Sequence, residues 1–247
     1  MESKINRYSK QLILINSFFI LAWLIISVFP FIWTFWGSFK VKADFFSRAD
    51  WMFAVTGVNT LIETGDTSTV KAYVESWTEG EFWKATMNTI IITVSVVTIS
   101  LFLGTLGAYA LSRSTYKYTF WILIAALIFR AMPHITLVSG YLFPFFQLNV
   151  WGILPTTIIV LVAINQPFTL WLLYSFFKTV PKELDESALI DGCSYFQAFR
   201  FVIMPVMWPG VVTAGLFSMM LAYNDFTVTS LLLNQQNYTM VPKINAY

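Results

Sequence analysis

The chain has 247 residues, 57% of them hydrophobic and only 11% charged, with a mean hydropathy of +0.67. A soluble domain is about 25% charged, so the composition excludes one and points to a polytopic membrane protein. A net charge of +2 without a basic run excludes a nucleic-acid binder; one cysteine, Cys193, and one histidine, His134, exclude a disulfide framework and leave no metal cluster.

A membrane-crossing helix takes about 20 mostly apolar residues, and five segments qualify. The first, 12–35, outruns the apolar stretch of a signal peptide, about 7–15 residues, and lacks a small-residue cleavage site. It therefore reads as a retained anchor, the second half of an N-terminal segment 1–36. A polar loop follows over 37–84, with Gly57, Gly65 and Gly80 and seven acidic residues. Within it Val70, Tyr73 and Trp77 fall at helical spacing and predict a short amphipathic helix over 69–77. That loop reads as a cap on the membrane surface or as a platform for an external partner. The remaining spans are expected over 85–111, 120–142, 153–176 and 207–233, forming a core of 85–233.

Lys and Arg in short loops set orientation. Lys4, Arg7 and Lys10 precede the first span, Arg113 and Lys117 separate the second and third, and Lys178, Lys182 and Arg200 separate the fourth and fifth. An N-terminus inside places all eight in the cytoplasm. Five spans then leave 234–247 outside, as an external tail leading to a sixth span that is expected beyond it.

The polar segment 177–206 is the only cytoplasmic loop long enough to be a docking surface. Pro181 suits a helix first turn, and Glu183, Asp185 and Glu186 there favour the helix dipole. Gly192 is either the breaker of that helix or a close-contact point within a longer one. Ala188 and Gly192 lie four apart, which predicts a shared face of small residues open to a partner. Phe196, Phe199 and Ile203 suggest a second helix, with Pro205 and Pro209 turning the chain into the last span.

Ionisable groups inside spans usually face a cavity or a partner. Arg130 and His134 are expected on one face of the third span, kinked at Pro133. Asp225, beside Asn224, sits in the fifth, and an Arg130–Asp225 pair near a translocation path is one reading; snorkelling to an interface is the other. Asn165 and Gln166 in the fourth span either bond a polar solute or bond between helices.

The polar segment resembles the EAA loop of permease subunits of bacterial binding-protein-dependent ABC importers. That pattern is E-A-A, three residues, G, nine residues, I-x-L-P. Here Glu186-Ser187-Ala188 is followed at the same spacing by Gly192 and by Val202-Ile203-Met204-Pro205. Asp191-Gly192-Cys193 and Thr179-Val-Pro-Lys-Glu-Leu184 resemble the carbohydrate branch; Pro167-Phe168 with Trp171, Asn88-Thr89 and Ala222-Tyr-Asn-Asp-Phe226 resemble further positions of the family, and the whole looks like the MalG-type subunits of sugar importers. The likeness runs over about residues 85–243 and is strongest over 167–226.

The resemblance implies an all-α integral membrane bundle of the importer permease fold in a bacterial cytoplasmic (inner) membrane. It implies a coupling helix in the 183–205 loop, with Glu183, Glu186, Ser187, Ala188, Asp191, Gly192 and Pro205 meeting a cytoplasmic ATPase. Its partners would be a second homologous permease, an ABC ATPase dimer, an extracytoplasmic solute-binding protein and a sugar or sugar-like solute. No cofactor would bind this chain; ATP and Mg would belong to the ATPase, and no G-x-x-x-x-G-K-[ST] loop occurs in the sequence. The rivals are a stand-alone ion-coupled transporter, for which only Asp225 offers a suitable carboxylate, an importer of a non-sugar solute, and a membrane-embedded enzyme, which one histidine disfavours.

Overall fold

The computed structural model describes residues 2–38 and 68–246, so most of the expected external loop lies outside the described residues. It divides into two units, Met1–Gly80 and Glu81–Tyr247. In the first, α1 (Glu2–Gly37) contains the expected apolar span as Leu12–Phe35. Leu14, Ile15, Trp23 and Leu24 put apolar groups on every side of it, as a helix surrounded by lipid requires. The amphipathic helix predicted over 69–77 is present as α2 (Ser68–Thr78).

The second unit is all-α among the described residues, apart from one isolated bridge between Gly152 and Leu233. Two long helices form its axis. They are α3 (Phe82–Arg113) and α6 (Leu154–Thr179), which pack against each other along their length. The sequence allows this through a stripe of small residues on α3, Ser100, Gly104, Ala108 and Ser112, spaced one turn apart and all buried. Opposite them α6 presents Leu161, Asn165, Thr169, Leu173 and Phe177, also buried at four-residue spacing. A Cβ placed on Gly104 would come within 3.1 Å of Thr169 and 3.2 Å of Leu173. In lipid, helix association rests on such close packing, because burial of apolar surface gains little there.

The expected third span, 120–142, is not one helix. It is two, α4 (Tyr118–Ala131) and α5 (His134–Gln147), bent by 86° at Met132-Pro133. Proline removes a backbone donor and clashes with the preceding turn. It also drives the residue before it into extended backbone, and Met132 has φ −69° and ψ 140°.

The expected fifth span, 207–233, also differs at both ends. Its helix starts at Tyr195 and runs unbroken to Tyr223, first as α8 (Tyr195–Gln197), then as a π-helical segment Ala198–Ile203, then as α9 (Met204–Tyr223). Pro205 and Pro209 therefore make no turn. The widened ladder, in which the Met204 amide reaches the Phe199 carbonyl, accommodates the donor that Pro205 lacks. The helix stops at Asn224, and a separate short helix, α10 (Thr227–Leu232), follows.

The segment after α10 folds back. Its 3-10 turn (Gln235–Asn237) and α11 (Met240–Asn245) lie against α3, where Asn88 donates to the Tyr238 carbonyl (3.3 Å) and Thr89 Oγ1 accepts from the Met240 amide (2.9 Å). Gly152, with φ +83°, donates to the Leu232 carbonyl and accepts from Asn237. Two apolar clusters hold the unit. One gathers Ile92, Val138, Leu161 and Leu232; the other gathers Ala108, Phe177, Ile203 and Met207 beside the polar segment.

Gly104→Val is expected to separate α3 from α6, at a cost of about 1–3 kcal/mol from overpacking. The check is a thermal midpoint in detergent; an unchanged midpoint would mean the two helices do not rely on this contact.

Candidate functional site

The polar segment builds one part of the site. Its first helix, α7 (Glu183–Ile190), carries Glu183, Asp185 and Glu186 in its first turn, where they favour the dipole. Gly192, at φ +87°, ends it: the Gly192 amide donates to the Leu189 carbonyl (3.1 Å) and the Cys193 amide to the Ala188 carbonyl (3.0 Å). This is a Schellman termination, which needs a left-handed residue at that position. Gly192 is thus the breaker and not a contact point within a longer helix. Ser194 opens α8 with a capping box, accepting from the Gln197 amide while its own amide donates to Gln197 Oε1.

The faces of this element differ from expectation in one respect. Ala188 is only 5% exposed, packed where α7 rests on the π segment, so it does not share an outward face with Gly192. Outward lie Glu183, Glu186, Ser187, Asp191 and Gly192, with Ile190 85% exposed among them. Tyr195, Phe196 and Phe201 extend this exposed apolar and acidic surface, and Pro205 is exposed at its far end.

Asp185 does something else. It turns inward, where its Oδ2 lies 2.8 Å from Arg113 Nε and its Oδ1 accepts from the Tyr109 hydroxyl at 2.5 Å. Arg113 Nη1 also donates to the carbonyls of Phe177 (3.3 Å) and Val180 (3.1 Å), at the end of α6. The Nε contact is an ion pair without an aligned hydrogen bond, and Nη2 has no hydrogen-bond acceptor. Tyr109 packs on Phe177 and Phe199, and the Arg113 guanidinium lies 5.7 Å from its ring centre. One junction therefore joins α3, α6, α7 and the π segment.

Sequence reasoning missed this junction. Arg113 counted only as an orientation charge and Asp185 only as a dipole partner. The available signal was Tyr109 and Arg113, four apart on one helix face at the end of a span, where a partly buried cation needs a counter-charge.

The polar groups within the spans form the other part. Arg130 and His134 sit on different helices, across the 86° bend, yet they meet: Arg130 Nη1 donates to His134 Nε2 at 3.3 Å. A guanidinium only donates, so this imidazole nitrogen accepts. Arg130 also lies 5.9 Å from the Phe168 ring centre and forms no ion pair with Asp225. Asp225 instead caps α10, accepting from the amides of Val228 (2.9 Å) and Thr229 (3.0 Å). It lies in the break between helices, not within the span. Asn224 donates back to the Met220 carbonyl.

Asn165 is 3% exposed with its Nδ2 unpartnered, and Gln166 Oε1 is likewise buried and unpartnered. Gln166 lines a cleft of about 560 Å³ between α4, α5 and α6, whose walls include Phe129, Tyr141, Phe145 and Pro167. The structure thus groups Arg130 with His134 and sets Gln166 in a cleft, but does not gather all six span residues.

A family model described as the binding-protein-dependent transport system inner membrane component matches residues 100–247. Among curated relatives, the diacetylchitobiose uptake system permease protein NgcG of Streptomyces coelicolor is 28% identical over 92% of this chain and 72% of its own. The trehalose/maltose transport system permease protein MalG of Thermococcus litoralis is 31% identical over 94% of this chain and 79% of its own. Among solved structures, a bacterial ABC transporter involved in the import of the acidic polysaccharide alginate superposes with a TM-score of 0.72 at 21% identity. It covers 94% of this chain and 77% of that one. That likeness is one of fold.

Arg113→Ala and Asp185→Ala are each expected to lower the thermal midpoint, with the double variant milder than the two effects added. A coupling energy of about 1–3 kcal/mol is expected for such a contact. A double-mutant cycle in detergent measures it, and strict additivity would remove the junction.

Proposed function

The chain belongs to the family of binding-protein-dependent transport system inner membrane components, and we propose that it is the MalG-type permease subunit of an importer for a saccharide. It works with a separate ATPase, and the reading assigns ATP hydrolysis wholly to that partner. The named relatives support a sugar-class solute, since two of them are permeases for diacetylchitobiose and for trehalose/maltose. The positive charges of the short loops support a cytoplasmic N-terminus and a cytoplasmic polar segment. A second permease, a pair of ATPases and an external solute-binding protein complete the assembly in this reading.

The observation that carries the coupling role is α7 itself. It exposes Ile190 and the carboxylates of Glu183 and Glu186 outward, with Asp191 just beyond its end, while Asp185 ties it inward to Arg113. An outward face of that kind suits an apolar cleft rimmed by Lys or Arg on the ATPase. The inward tie carries displacement of α7 into the ends of α3 and α6. Motion of those ends then opens or closes the cleft that Gln166 lines, which serves as part of the solute path in this reading, with Arg130 and His134 at its bend. Asn165, Asn224 and Asp225 act on that path through helix packing and capping.

Ile190→Asp provides the test. Its side chain touches almost nothing within the chain, so insertion and thermal stability stay unchanged. Recovery of the ATPase in a mild-detergent pull-down should fall at least tenfold, with uptake lost in parallel. Glu186→Lys should weaken recovery through reversed charge. Full recovery of the ATPase by both variants would place the docking face elsewhere. Purification of the chain alone, without ATPase or second permease, would favour the stand-alone transporter.

A further inference from the structure

A second cleft, of about 420 Å³, lies between the start of α4 and the end of α6, beside the polar segment. Lys117 and Lys178 line it together with Tyr116, and its wall continues along the span through Leu123, Leu127 and Trp171. Among the described residues neither lysine forms an ion pair; Lys178 has only the Tyr174 ring, 5.5 Å from its Nζ. Two ammonium groups lining one cleft without a carboxylate create a local positive potential that an anion relieves. The apolar wall below them selects further. A small soluble anion would leave that wall uncovered, whereas an amphiphile meets both halves at once.

We infer that this cleft binds an anionic phospholipid, with its phosphate between Lys117 and Lys178 and an acyl chain along Leu123, Leu127 and Trp171. The inference rests on the orientation proposed above, which puts this end of the spans at the cytoplasmic leaflet, where anionic lipids gather. Basic clefts between helices at that level suit acidic headgroups, and exposed Tyr116, Tyr118 and Trp121 suit the same interfacial depth.

The test is native mass spectrometry of the full chain with its co-purifying subunits, stripped of lipid in neutral detergent. It is titrated with phosphatidylglycerol, with phosphatidylcholine and with inorganic phosphate. Phosphatidylglycerol should bind in preference to phosphatidylcholine, and millimolar phosphate should not displace it. Lys117→Gln and Lys178→Gln should each weaken phosphatidylglycerol binding about fivefold, and the pair on the order of 25-fold. Lys182→Gln, outside the cleft, should leave it unchanged. Equal binding by the double variant, or equal affinity for phosphatidylcholine, would overturn the proposal. Displacement by phosphate would make this a small-anion site instead. Amine acylation that reaches Lys117 and Lys178 only after subunits are removed would assign the cleft to a protein contact. Because the titration reads neither uptake nor ATPase recovery, selective phosphatidylglycerol binding together with full ATPase recovery by Ile190→Asp and Glu186→Lys would fault the coupling reading alone.

Discussion

The architecture turns on one guanidinium. Arg113 sits at the last residue of α3 and satisfies two carbonyls at the end of α6, where helix termini leave acceptors without partners. The same side chain meets Asp185 on α7. α6 and its sequence neighbour α7 are thereby fixed to the distant α3 at one point, at the boundary where apolar spans give way to a polar loop. A lysine there would supply one point charge in place of a planar group whose Nη1 reaches two carbonyls while its Nε faces Asp185. The partly buried charge is tolerable because Asp185 and the Tyr109 ring and hydroxyl face it from the other side.

The close approach of α3 and α6 complements this junction. Small residues on α3 bring the helices near enough for Arg113 to reach across to the Phe177 and Val180 carbonyls. Aromatic packing of Tyr109 between Phe177 and Phe199 then extends the contact to the π segment. The polar loop is consequently not an appendage. It shares a core with the spans, through Phe177, Ile203 and Met207.

Much of the fold was legible because apolar run length reports directly on lipid burial. The spans over 12–35, 85–111 and 153–176 appear close to their expected places, and the helix over 69–77 was visible in its spacing. The errors fall where local chemistry overrides hydropathy. Met132-Pro133 splits an apolar run that composition alone reads as continuous. Asp225 draws backbone amides to itself and divides another, a competition that short acidic side chains commonly win. Within the polar segment, the stop at Gly192 could be read because left-handed backbone favours glycine. The inward turn of Asp185 could not, since adjacent carboxylates on one helix differ only in which direction the tertiary structure gives them. Asn88 and Thr89 carry the same lesson: resemblance to a family position marked them, but their work of holding the segment around Tyr238 and Met240 depends on contacts about 150 residues away.

The π-helical segment Ala198–Ile203 lengthens the ladder between the polar loop and α9 by one residue. A residue gained or lost in a regular helix rotates everything beyond it by about 100°. Here the extra residue is taken up in the widened turn, so that α7 and α8 keep their facing while α9 keeps its own. Loop and span are in this sense independently phased. A deletion within this turn would restore ordinary helical geometry and leave the apolar face of α9 intact. The same deletion inside α9 meets no such slack, and would swing Ile190 and its neighbouring carboxylates by about 100° relative to the rest of the span.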